Sequence, residues 1–107
     1  MQEMKWFKDV FDRQIRLTYE RHRHIESDHP EMCGQVNRMP ETLAEPDSVV
    51  RSKTDPSIEL FYKHYELTPV TEKYLCVIVK ILDKELFIVT AYFTDKIKKG
   101  ERLWERK

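Results

Sequence analysis

The chain has 107 residues, 40% hydrophobic and 36% charged, which is enough apolar content for one core beneath a heavily solvated surface. Nineteen lysines and arginines balance nineteen aspartates and glutamates, so a globally basic nucleic-acid binder is excluded and any such partner needs a local basic patch. Two distant cysteines, Cys33 and Cys76, argue against a disulfide scaffold, and no apolar run approaches the roughly 20 residues of a membrane span.

The charged first twenty residues lack the pattern of a signal peptide, and the expectation is a soluble cytoplasmic protein without a membrane partner. A single domain over 1–107 is expected. Met4, Phe7, Val10 and Phe11 fall at helical spacing and predict a short amphipathic helix over 3–12, with a loose arm over 1–12 as the alternative. Ile15, Leu17 and Tyr19 alternate with polar residues and predict a short strand. Thr18 then suits the N-cap of a helix over 19–28. His29-Pro30-Glu31 restarts the chain, and Met32, Val36, Met39 and Leu43 mark one face of a second helix, kinked or broken at Pro40 and ended by Pro46-Asp47.

From Ser48 the pattern changes to strands: Val49-Val50, Ile58 to Tyr65, Tyr74 to Leu82, and Glu85 to Thr94. The last two form a hairpin about Asp83-Lys84. Residues 95–107 read as a turn and a basic tail, with six cations against two acids from Lys96 onward. The fold class expected is α+β, with N-terminal helices packed on a four-stranded antiparallel β-sheet. Parity assigns Leu75, Val77, Val79 and Ile81, with Phe87, Val89, Ala91 and Phe93, to the face beneath the helices. The opposite parity carries Tyr74, Cys76, Ile78 and Lys80 on one strand and Ile88, Thr90, Tyr92 and Thr94 on the other. Tyr62 and His64 join them, and Arg51 is a further candidate. A substrate surface and an ordinary solvated sheet face share this pattern.

Three of the four histidines, His22, His24 and His29, lie within eight residues, beside Arg21 and Arg23. Imidazoles exchange protons near neutrality and guanidiniums suit phosphate, so the cluster points toward phosphodiester chemistry. In metal-free RNA cleavage, His24 and His29 would supply acid and base, with His64 or Glu31 as replacements. Arg21, Arg23 or Arg51 would hold the phosphate, and Thr90, Tyr92 and Tyr62 would position it. His22, His24, His29 and Cys33 have zinc-ligand chemistry but lack a second ligand pair, so no metal and no cofactor is expected. Neither cysteine sits in a motif that lowers its pKa, so thiol catalysis is set aside.

His24-Ile25 followed by His29-Pro30-Glu31-Met32, together with the later Ile88-Val89-Thr90-Ala91-Tyr92 run, resembles the phage-associated nuclease domains of the barnase–EndoU–colicin–RelE-like (BECR) superfamily. The resemblance spans residues 15 to about 104. It implies helices on a four-stranded antiparallel sheet and a metal-independent endoribonuclease of toxin or phage-conflict type. It favours His24, His29, Thr90 and Tyr92 as site residues, with a 2′,3′-cyclic phosphate as product. RNA, such as a tRNA or ribosome-associated RNA, is the implied partner, with a cognate antitoxin or immunity protein. The alternative is an inactive nuclease-fold module that docks a partner protein or RNA.

Overall fold

The computed structural model describes residues 4–107; Met1–Glu3, part of the expected N-terminal helix or arm, lie outside the described residues. Ten elements follow in chain order: β1 (Met4–Lys8), β2 (Gln14–Thr18), α1 (Tyr19–Asp28), a single 3-10 turn (Pro30–Met32), α2 (Arg38–Ala44), β3 (Ser48–Arg51), β4 (Ile58–Tyr65), β5 (Lys73–Ile81), β6 (Leu86–Thr94) and β7 (Glu101–Glu105). All seven strands join one sheet in the order β1-β2-β6-β5-β4-β3-β7. The β3–β6 run is antiparallel throughout, whereas β2 meets β6 in parallel at Arg16 and Phe87.

This architecture corrects the expected fold class. The sheet is mixed and has seven strands, not four, and strand predominates over helix. The predicted helix over 3–12 is instead β1, paired antiparallel with β2, followed by a turn. Asp9 closes that turn by accepting hydrogen bonds from the Phe11 and Arg13 amides at 3.0 and 2.8 Å. Val10 donates to the Leu43 carbonyl at 2.9 Å, which fixes the turn against α2. The basic tail also gains a strand, because β7 pairs with β3.

The helices form for local reasons. Thr18 is extended, and its hydroxyl accepts the Arg21 amide at 3.1 Å, as an N-cap should. Pro40 sits in the first turn of α2, where amides have no intrahelical partner, so it starts this helix instead of breaking a longer one. Both helices and the 3-10 turn bury Ile25, Met32, Met39 and Leu43 against Val49, Phe61, Leu75, Val77 and Val79 of the sheet.

Parity holds on β5 but fails halfway along β6. A bulge opposite Ile78/Val79 leaves Val89 without a register partner, so Ile88 faces Val79. The buried side chains of β6 are therefore Ile88 and Ala91, not Phe87 and Val89. At one end of this core, Arg13 bridges Asp9 and Glu59 at 2.8 and 2.6 Å, and both carboxylates are buried. Burial opposes the guanidinium charge, but hydrogen bonds to Glu59 and Asp9 outweigh it and raise the Arg13 pKa.

Candidate functional site

The opposite face of the sheet has a smaller apolar cluster: Val50, Leu60, Tyr62 and Cys76 are buried, with Ile58, Tyr74, Ile78, Tyr92 and Ile97 packed around them. No helix covers it. The β6–β7 loop folds over part of it, and the Lys98 amide donates to the Tyr62 hydroxyl at 3.1 Å. Register places Tyr62, Cys76 and Tyr92 directly across from one another on three adjacent strands. The next row along the strands is His64, Tyr74 and Thr94, and the row on the other side is Leu60, Ile78 and Thr90. Tyr74 meets Tyr62 and His64 edge to face, with ring centroids 6.4 and 5.3 Å apart.

Burial dominates the electrostatics of this face. It pushes the Cys76 thiol up to about 12, against opposing hydrogen bonds with Tyr62 and Tyr92. Burial, and then the neighbouring Cys76, push the Tyr92 phenol up to about 12 and raise Tyr62 further. Cys76 is a neutral packing residue, not a nucleophile.

His29 reaches this face from the side. Beyond its meeting with β2, β6 is flanked by α1 and the 3-10 turn. His29 lies at their junction, capping α1 through its amide to the Ile25 carbonyl at 2.8 Å. Its ring rests on Tyr92 with centroids 5.5 Å apart and planes tilted by 30°. Its Nδ1 lies 3.9 Å from a Glu31 carboxylate oxygen.

The structure thus puts Thr90, Tyr92, Tyr62 and His64 on one face and rests His29 on Tyr92, with Glu31 beside His29. His64 is further held by Glu72 at 2.7 Å. His24 is not part of this group: it stands exposed on α1 with Glu20 as its neighbour at 3.8 Å. Arg21 is exposed beside it. Arg51 shares the helix-side parity of Val49, pairs in register with Glu59, and is tied to Glu101 at 2.7 Å. Among the described residues, no three potential ligands converge to hold a metal ion, and His22 is engaged with Glu26 at 3.2 Å. Nor is any described helix long and apolar enough to cross a membrane.

Sequence reasoning overlooked the covering role of Ile97 and Lys98. The signal was slight: an isoleucine among lysines, in a segment that reads as solvated tail until β7 is known to return to β3. No family model, curated protein or solved structure matches the chain.

Proposed function

We propose that the protein is a metal-independent endoribonuclease whose working surface is the open sheet face. The observation that carries this reading is the His29 imidazole resting on Tyr92, beside Glu31 and on the same face as Thr90, Tyr62, Tyr74 and His64. Such a face suits a single strand, because bases stack on aromatic rings whatever their sequence. A carboxylate and an imidazole then divide the proton transfers. Glu31 takes the proton from a ribose 2′-hydroxyl, and that oxygen attacks the adjacent phosphorus. Protonated His29 gives its proton to the departing 5′-oxygen. The products are a 2′,3′-cyclic phosphate and a 5′-hydroxyl end. A toxin or phage-conflict role, with an antitoxin or immunity protein covering this face, belongs to the same proposal.

The test is cleavage of total cellular RNA and purified tRNA in EDTA. Wild type should yield cyclic phosphate ends, His29→Ala should lose about 100-fold or more in rate, and His24→Ala should change little. Strict dependence on a divalent metal, or equal rates for wild type and His29→Ala, would sink the mechanism. A second reading, an RNA-binding module without catalysis, is favoured by the separation of His24 from His29. RNA retention in a gel shift, with no cyclic ends from wild type, selects it.

A further inference from the structure

A cleft of about 360 Å³ opens on the same sheet face between the turn after β3 and the β6–β7 loop. Its floor is Ile58, Leu60 and Ile78, and its rim carries Lys53, Lys98 and Lys99. Volumes of this order accommodate small organic ligands.

Both walls are held by backbone. The Ser52 hydroxyl accepts the Thr54 and Asp55 amides, each at 3.3 Å, and Asp55 accepts the Ser57 amide at 3.0 Å. Opposite, the Lys98 amide is tied to Tyr62, and Gly100 packs so closely on the Arg51 carbonyl and Val50 that a β-carbon would not fit.

Charge in the cleft is one-sided. Asp55 is its acid, and its carboxylate is already spent: Ser57 donates from its hydroxyl at 2.6 Å, and Lys80 pairs with it at 3.1 Å. Among the described residues, no carboxylate lies within ion-pairing distance of Lys53, Lys98 or Lys99. Three unmatched ammonium groups above an apolar floor call for a ligand with a flat apolar part and an anionic group.

We infer that this cleft holds one nucleotide unit, its base on Ile58, Leu60 and Ile78 and its phosphate among Lys53, Lys98 and Lys99. Lysine is a phosphate binder that acts as a point charge, so an open, adjustable rim suffices. Ile78 is paired in register with Thr90, and Thr90 lies two residues, or about 7 Å, along β6 from Tyr92. The cleft is therefore a subsite for the nucleotide next to the bond being cut, an assignment that rests on the nuclease reading.

The experiment titrates the whole chain with adenosine 5′-monophosphate, adenosine or inorganic phosphate, followed by methyl and amide NMR shifts. The monophosphate should saturably shift the methyls of Ile58, Leu60 and Ile78 and the amides of Lys98 and Lys99, and should bind more tightly than either part. Lys98→Glu with Lys99→Glu should weaken it about tenfold or more, since both side chains are exposed and the fold should be unaffected. Shifts that map elsewhere, no saturation at millimolar concentration, or unaltered affinity in the double variant would overturn the site. The two proposals separate cleanly. Wild-type RNA cleavage by the double variant would remove the subsite and leave the nuclease. Nucleotide binding without RNA cleavage would remove the nuclease and leave a nucleotide-binding cleft.

Discussion

The two faces of this sheet are built from the same strands but to different specifications. The helix-covered face is closed over, and its apolar side chains interlock with Ile25, Met32, Met39 and Leu43 from above. The open face buries less, and its buried members include a phenol and a thiol whose polar ends need neighbours. What differs is the cover: helices with apolar stripes on one side, one short lysine-rich loop on the other. Stability is therefore expected to reside on the first face and ligand chemistry on the second.

Truncations on the two faces should give the largest effects. Phe61→Ala on the helix side should cost about 4 kcal/mol, and Ile78→Ala on the open, half-buried side about 2 kcal/mol, in urea unfolding. Equal costs would show that the open face is as much core as the other. Arg13→Ala probes the polar end of the helix-covered face. It strands two buried carboxylates and should cost about 3 kcal/mol, the low end for a broken buried pair because the arginine side chain is itself 27% exposed. Adding Asp9→Asn and Glu59→Gln to that variant should recover part of the loss.

A smaller effect reads the open face by pH, against the Tyr65 phenol that burial and Glu41 likewise raise on the helix side. Cys76 and Tyr92 both titrate higher in the folded chain than in the unfolded one, where their ordinary values are 9.0 and 10.0. Their contribution is thus fully present below pH 9 and is lost as pH rises to about 12, because the unfolded chain releases those protons first. Cys76→Ala and Tyr92→Phe should each flatten the alkaline limb of a stability–pH curve while leaving the acid limb alone. An unchanged alkaline limb in both would place the alkaline sensitivity elsewhere.

Local signals in the sequence were the dependable ones. The Ile58–Tyr65 strand, the Thr18 cap and the hairpin at Asp83-Lys84 depend on neighbours in the chain, and the structure has all three. β7 could not be read this way, because Glu101–Glu105 becomes a strand only by pairing with distant β3. The same holds for β1, whose Met4 and Phe7 fit helical spacing until β2 offers a partner. Nothing in Phe87, Val89, Ala91 and Phe93 announces a bulge, since their alternation is unbroken. For the site, parity within a strand correctly grouped Tyr62 with His64 and Thr90 with Tyr92. It misplaced Arg51, whose face depends on register with β4; the break at His29-Pro30 was legible, but not that it carries the His29 ring onto Tyr92 and away from His24.

Among the described residues the sheet ends at β1 on one side and β7 on the other, and each outer edge presents unpaired backbone groups. Such edges invite a second copy to add on as a further strand. The chain's formal net charge is zero, so long-range repulsion does little to keep copies apart in solution. Colloidal protection then falls to charges on the edge strands themselves: Lys5 and Lys8 on β1, and Glu101, Arg102 and Glu105 on β7. Concentrated solutions of this protein should be most prone to self-association where salt screens those few side chains.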